Sequence, residues 1–401
     1  MKNYKIAIIG LGKRSRGLYS VLKNREYVDI VAVCDLYEDR CEDMAKRIED
    51  DGRHRPSLFT DYKRCIDEAM PDMVVIATSW LPHIEICIYA MERGVIAACE
   101  VGGAYSIESL WELIRCYERT GTPVTMLENA CYHRIKLLAL NMKRKGLLGE
   151  MVHCEGAYRH DLRDEICTGW RKKHYRLDQF IHRNADNYPT HDIGPIAKLL
   201  DINCGNRFLS IVSVGSKSAG LSHYAKENGI DELDGVKFMQ SDVVTSILKC
   251  QNGETVTIVL DVSLPRYYSR GFIAQGTEGL ISEDNKCVYL DADYKGQKHK
   301  MWDEVTGNID LYYGKYEHPL WVDYHPGQGG HGGIDSLQFD DLFAALERGD
   351  KEMPINVYDM ATWMAITVLS GQSMATGASV PFPDFTNGNW IYRKNEFALG
   401  E

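Results

Sequence analysis

Five short apolar runs alternate with helix-forming segments over the first 127 residues, and this alternation limits the possible folds more than any other feature of the chain. The runs are Tyr4–Ile9 (YKIAII), Asp29–Val33 (DIVAV), Met73–Ala77 (MVVIA), Val95–Cys99 and Val124–Leu127. Each has strand length and ends in glycine or a polar cluster. Helices are expected between them at Arg16–Lys23, Glu38–Glu49 and Pro82–Arg93, with Pro82 suited to a first turn. A further helix begins after Ser106, a good N-cap, carries Glu108 in its first turn and stops at Gly121. Strand and helix in strict alternation imply a doubly wound parallel sheet covered on both faces. Residues 1–127 are therefore expected to form one domain.

Past a helix at Arg134–Lys145 the pattern changes. Val152–Tyr158, Leu209–Val214, Val243–Lys249 and Val256–Val262 read as strands without regular helices between them. That predicts a second α/β domain, residues 128–401, built on an open, mainly antiparallel sheet. Late helices are expected at Ser336–Glu347 and Tyr358–Thr376, and Pro381 and Pro383 are expected to end the ordered region. An open sheet face would leave an apolar patch, so a homo-oligomer, dimer or tetramer, is expected to cover it.

Composition narrows the partners. The 46 Lys and Arg are outnumbered by 57 Asp and Glu, for a formal charge of −11. Neither nucleic acid nor an anionic membrane surface is expected as a partner. No apolar run approaches the roughly 20 residues of a membrane helix. Twelve cysteines are scattered from Cys34 to Cys287 without a CxxC pair. Reduced thiols in the cytoplasm are expected, with a periplasmic location open if an export signal precedes the sequence. The histidine pairs His153/His160 and His325/His331 lack zinc spacing, so no metal is expected.

The chemistry begins at GLGKRSRG (Gly10–Gly17), between the first strand and its helix. Gly10 and Gly12 permit a tight turn and bring backbone amides close to a pyrophosphate at a helix N-terminus. Gly17 falls two residues late for GxGxxG. Asp35 ends the second strand at the distance where a carboxylate accepts from an adenosine ribose and repels a 2′-phosphate, which favours NAD over NADP. TSWLPH (Thr78–His83), with Ser79, Trp80 and His83, follows the third strand at the edge where open α/β sheets bind ligands. Trp80 could cover a nicotinamide or adenine ring and His83 could hydrogen-bond the cofactor. The alternative is that Trp80 is core packing and His83 a helix-start residue.

Together with Glu100 after the fourth strand, these segments resemble the Gfo/Idh/MocA family of NAD(P)-dependent sugar oxidoreductases. The resemblance implies a Rossmann domain followed by an α/β domain on an open antiparallel sheet. Most members carry Glu-Lys-Pro where this chain has Glu100, Val101 and Gly102, so the usual catalytic lysine is absent. Further segments, MLENACYHR (Met126–Arg134), EGAYRHDLR (Glu155–Arg163), YPTHDIGP (Tyr188–Pro195), LDINCGNRF (Leu200–Phe208), PRYYSRG (Pro265–Gly271) and GHGGID (Gly330–Asp335), resemble the NAD-dependent glycosidases of glycoside hydrolase family 109. That match runs over nearly the whole chain.

The resemblance implies hydrolysis of α-linked N-acetylgalactosamine or a related glycoside with a retained NAD. The sugar C3 hydroxyl is oxidised, the C2 proton removed, the C1 substituent eliminated, water added and the hydride returned. It further implies Tyr158 as base and His191 beside the oxidised hydroxyl, with Tyr188 lining the sugar subsite. By the same matching Lys13, Arg14, Asp35, Ser79, Trp80, His83, Glu100, Val101 and Asn129 fall on cofactor contacts. Arg171 and Tyr268 fall on substrate contacts, and Arg163 is a further candidate to hold a sugar hydroxyl. The family usually reads YPTHGLGP, so Asp192 and Ile193 are departures, and the segment from Trp170 to Asn187 reads as longer than usual. Two competing readings remain: a net sugar or cyclitol dehydrogenase, disfavoured by the missing lysine, and a non-catalytic NAD-dependent sensor, disfavoured by Tyr158, His191 and Asp35.

Overall fold

The computed structural model describes residues 2–294, 307–322, 324 and 330–399. The chain divides into two compact units. His325 lies outside the described residues.

The first unit comprises residues 1–129, 323–361 and 396–398. Its strands are β1 (Tyr4–Ile9), β2 (Val28–Cys34), β3 (Ser57–Phe59), β4 (Met73–Ile76), β5 (Ile96–Cys99) and β6 (Val124–Met126). They form a six-stranded sheet in the order β3-β2-β1-β4-β5-β6, parallel throughout. The sequence suggests five strands because β3 is three residues long and only partly buried, too short to leave an apolar run. The helices are α1 (Lys13–Leu22), α2 (Glu38–Asp50), α3 (Tyr62–Ala69), α4 (His83–Met91) and α5 (Ile107–Thr120). α5 has the expected caps: the Ser106 hydroxyl accepts from the Ser109 amide at 3.1 Å, and Gly121 closes the helix at φ +66°.

The core of this unit sets Ile6, Ile8, Ile30 and Val75 of the sheet against Leu18, Leu22, Met44 and Ile48 of the helices. Each such side chain stabilises the fold by about 1.5–3 kcal/mol. A late helix, α13 (Ile334–Arg348), joins this core through Phe339, Leu342 and Phe343. Sequence order alone places these residues with the second domain. Arg25 ties the helix down, its guanidinium donating to the Ser336 carbonyl at 2.9 Å and to Asp340 at 2.5 Å.

The second unit comprises residues 130–322, 362–395 and 399–401. In chain order it contains α6 (Arg134–Arg144), β7 (Met151–Arg159), α7 (Arg163–Thr168), α8 (Arg176–His182), α9 (Thr190–Leu199), β8 (Phe208–Gly215) and α10 (Gly220–Glu227). β9 (Val243–Cys250), β10 (Thr255–Asp261), β11 (Ile273–Gly276), β12 (Gly279–Ser282), β13 (Cys287–Leu290), α11 (Asp291–Tyr294), α12 (Ile309–Tyr316), most of α14 (Val357–Thr376) and β14 (Val380–Pro381) follow. The eight strands run β13-β12-β11-β7-β10-β9-β8-β14, and only the β7–β10 pair is parallel. The open, mainly antiparallel sheet is thus present. Pro381 lies within β14, and described structure continues to residue 399, so the two prolines do not end the ordered region.

One face of this sheet is packed and the other is not. α9 lies on β7 because Gly156 has no side chain: a Cβ there would stand 3.0 Å from Ile196 and 3.2 Å from the Asp192 Cβ. Val152, Val212, Val214 and Ile247 are exposed, and Val212 is in register with Ile247 across β8 and β9. Within α9, Pro195 cannot donate to the His191 carbonyl four residues back.

Candidate functional site

The residues predicted to carry function fall into two groups, one in each unit. In the first unit the glycine turn has a backbone requirement. Gly10 has φ +90°, and a Cβ there would lie 2.4 Å from the Thr78 amide nitrogen and 2.5 Å from the Ala77 carbonyl carbon. Only glycine can occupy it. Gly12 caps α1 in an extended conformation, with nothing within 4 Å of where its Cβ would stand, so the first-turn amides can be approached. Lys13 is exposed at the start of that helix. Asp35, one residue past β2, folds back on the turn: its carboxylate accepts from the Leu11 amide at 2.7 Å and the Tyr37 amide at 3.1 Å. Each oxygen keeps lone pairs for further donors.

Ser79 is half-buried after β4, and Trp80 is buried beside it. His83 is buried at the start of α4, with Nε2 3.3 Å from the Thr78 carbonyl. Burial pushes its imidazole down to about 4, against that backbone contact, so the ring is neutral. Its Nδ1 has no hydrogen-bond partner among the described residues. Gly102 faces this pair, and a Cβ there would stand 2.7 Å from the Trp80 ring and 3.3 Å from His83 Nδ1. The glycine lets the Trp80 ring and His83 pack directly against the backbone there.

Arg14 anchors a charged lattice. Its Nε donates to Glu100 at 2.7 Å, and its two terminal nitrogens donate to the Asp335 carboxylate at 2.7 and 2.9 Å. The Asn129 amide donates to the same carboxylate at 2.6 Å, and His331 Nδ1 lies 3.0 Å from it. Burial raises the Asp335 carboxyl, but bonds from His331, Arg14 and Asn129 together with the Arg14 charge hold it well below the carboxylate range. Glu100 is pushed the other way, by burial and the nearby Asp335, with Arg14 opposing. Gly330 makes room for Asp335, since a Cβ there would lie 2.4 Å from its carboxylate. Arg14, Glu100 and Asn129 thus meet, Val101 is buried after Glu100, and Asp335 is the member that sequence reasoning missed. Its signal was GHGGID, where two glycines next to a histidine free the chain to bend.

In the second unit three expected residues gather at the end of β7 and the start of α9. The ring centroids of Tyr158 and Tyr188 are 4.6 Å apart, Tyr188 and His191 5.0 Å, and Tyr158 and His191 5.8 Å. The Tyr188 hydroxyl is 3.4 Å from His191 Nε2. Two guanidiniums stand against these rings: Arg270 is 4.8 Å from the Tyr158 centroid and Arg176 is 5.2 Å from that of Tyr188. Tyr268 joins the rim, 5.2 Å from Arg270 and 5.3 Å from the His160 ring. The loop before β11 is held to β7 by the Ala157 amide donating to the Arg270 carbonyl at 2.6 Å.

Two expected substrate contacts stand apart. Arg171 is exposed and bound to Glu232, both contacts at 2.9 Å. Arg163 is paired with Asp161 at 2.7 and 2.8 Å and lies over Tyr224. The buried cation in this segment is Arg176, five residues past Arg171, on α8 and 3.0 Å from Glu165. The sequence shows it only as an arginine before Leu177, in a stretch rich in other cations.

The described residues contain no group of three His, Cys, Asp or Glu side chains able to hold a metal, and no helix long and apolar enough to cross a membrane. The first-unit residues do suit a dinucleotide. The glycine turn, the carboxylate at the end of β2 and the buried acceptor on His83 supply a pyrophosphate contact, a ribose contact and a hydrogen-bond acceptor.

Residues 4–127 match the Gfo/Idh/MocA oxidoreductase family with its NAD-binding Rossmann fold, and residues 132–392 match the C-terminal domain of glycosyl hydrolase family 109. The chain is 38% identical over 399 residues to a glycosyl hydrolase family 109 protein of Parabacteroides distasonis, covering 92% of this chain and 84% of that one. It is 37% identical to an α-N-acetylgalactosaminidase of Tannerella forsythia, covering 98% and 89%. Among solved structures, a levoglucosan dehydrogenase in complex with NADH superposes with a TM-score of 0.72 at 18% identity, covering 96% of this chain and all of that one, which establishes a shared fold.

Proposed function

We propose, for a chain that belongs to glycosyl hydrolase family 109 and is an NAD-dependent glycosidase, that it cleaves α-N-acetylgalactosaminides or closely related glycosides by transient oxidation at the sugar C3. The observation that carries the reading is the Tyr158–Tyr188–His191 cluster flanked by Arg176 and Arg270. The name of the Tannerella relative supports the choice of sugar.

NAD, when bound, accepts a hydride from the sugar and later returns it. The remaining work falls to side chains. His191 takes the C3 hydroxyl proton as the carbonyl forms and gives it back at the end, a role suited to an imidazole near neutral pH. Its orientation is set by the Tyr188 hydroxyl at 3.4 Å. The carbonyl at C3 makes the C2 hydrogen acidic. Tyr158, as the base, takes it on its phenolic oxygen, and the C1–O bond breaks with the electron pair leaving on the aglycone oxygen, which takes a proton from water. Water adds at C1 and a proton returns to C2 as the sequence reverses. Arg270, over the Tyr158 ring, lowers the cost of charge on that oxygen, and Arg176 does the same beside Tyr188. In the first unit Asp35 orients the adenosine ribose, and the Gly10–Gly12 turn holds the pyrophosphate.

The same proposal covers setting and assembly. Eleven of the twelve cysteines are buried thiols, which favours a reducing compartment, the cytoplasm. The exposed Val212, Val214 and Ile247 on the open sheet favour a homo-oligomer that covers them.

The test is stoichiometry with purified protein and aryl α-N-acetylgalactosaminide. Many turnovers without added cofactor support the glycosidase cycle. NADH accumulating in step with product would instead make the enzyme a net dehydrogenase.

A further inference from the structure

Arg270, beside Tyr158, belongs to a charge cluster whose other members the reaction above does not use. Lys136 of α6 has only 3% of its side chain exposed and forms an ion pair with Glu283, just past β12. Its ammonium sits 3.7 Å from the Phe272 ring centroid. Asp192, also buried, packs against Gly156, two residues before Tyr158 and so on the same face of β7. Arg270 completes the cluster, between the rings of Tyr158 and Tyr268.

The other three charges act on Lys136. Burial pushes the Lys136 ammonium down to about 8, Glu283 and Asp192 hold it up, and Arg270 adds to the fall. The neighbouring α12 contributes Tyr313 and, just past its end, Glu317, both set against Arg134. With Lys136 charged, two cations face two carboxylates. With Lys136 neutral, Arg270 alone balances both, in a partly buried site where screening is weaker than in bulk water.

We propose that Lys136 is a positioning residue for the elimination step: its charge balances Glu283 and Asp192, which leaves the Arg270 guanidinium available to the anion that forms on Tyr158. The inference rests on reading Tyr158 as the base. Lys136 does not itself touch the sugar. It acts through Arg270, and the chain thereby uses a lysine in the second unit although Val101 stands where related oxidoreductases place one in the first.

The test measures kcat from pH 5 to 9 on the holoenzyme and on K136M, K136R, D192N, K136M/D192N and Y158F. Met packs on Phe272 but carries no charge. K136M is expected to lose about tenfold in kcat at pH 7 and to move the acid limb of the profile up by about one pH unit. K136R should keep the wild-type profile, D192N should move the limb the opposite way, and the double variant should recover most of the loss. If K136M folds poorly, the direction of the D192N shift alone decides. A wild-type profile in K136M, with only a lower Tm, or an unmoved limb in D192N, would reduce Lys136 to a packing role. Y158F separates the two ideas: near wild-type turnover there removes the base itself, whereas an inactive Y158F with an unmoved K136M profile overturns only the role of Lys136.

Discussion

The two groups of functional residues are built by opposite means. In the first unit the cofactor group consists of backbone and carboxylates already bonded to one another: Asp35 to the Leu11 amide, and Arg14 to Glu100 and Asp335. In the second unit the group proposed for the sugar consists of rings in tilted or edge contact, centroids 4.6 to 5.8 Å apart, with guanidiniums 4.8 and 5.2 Å from two of them, drawn from β7, α8, the start of α9 and the loop before β11. A group locked by its own backbone can bind without reorganising. Rings and cations set against one another can lower the cost of a transient charge. On the proposed function, binding belongs to the first and proton chemistry to the second.

The sharpest way to break this comparison is Gly10→Ala. The new Cβ would meet the Thr78 amide at 2.4 Å with φ at +90°. NAD content of the purified protein and turnover should fall together, by more than about 100-fold, for a backbone cost of roughly 3 kcal/mol or more. A variant that retains NAD would show that the turn is not the binding element. Arg176→Ala should act on the other group alone, lowering kcat/KM about 10- to 100-fold with NAD content unchanged, whereas Arg171→Ala should stay within about twofold. Equal losses in the two arginine variants would return Arg171 to the sugar subsite.

The smallest effect tests the support beneath the second group. Asp186 is fully buried, and one of its oxygens has no hydrogen-bond partner among the described residues. Burial pushes its carboxyl up to about 7, against a bond from the Tyr188 amide at 3.3 Å. The folded state therefore holds a proton that the unfolded chain releases near pH 4, and this residue costs stability progressively from there up to pH 7. Asp186→Asn should gain on the wild type across that window, by on the order of 4 kcal/mol, and gain nothing further above it. Denaturant titrations at pH 5, 7 and 8.5 would show the slope, and parallel curves would contradict the assignment.

The same contrast explains what could be read from the sequence. The parallel sheet, the glycine turn and Asp35 were legible because each depends on local pattern: a buried strand, a residue free to adopt positive φ, a carboxylate at a strand end. Tyr158, Tyr188 and His191 were legible only through resemblance, because β7 and α9 meet through Gly156, a contact no spacing announces. Arg176 stands among six other cationic or histidine side chains between residues 171 and 183, and the resemblance pointed to Arg171 instead. Asp335 lies 235 residues past Glu100, and its pairing with Arg14 depends on α13 folding onto the first unit's core. Lys136 reads as an ordinary surface lysine on a helix until Phe272 and Glu283 enclose it.

The central claim is that Tyr158 removes the sugar C2 proton in a cycle that consumes no cofactor. Proton NMR of the reaction with aryl α-N-acetylgalactosaminide in heavy water, without added NAD, tests it most directly. The account predicts many turnovers and free sugar carrying deuterium at C2, with both lost in Y158F. Wild-type turnover that leaves the C2 proton in place, together with an active Y158F, would contradict it.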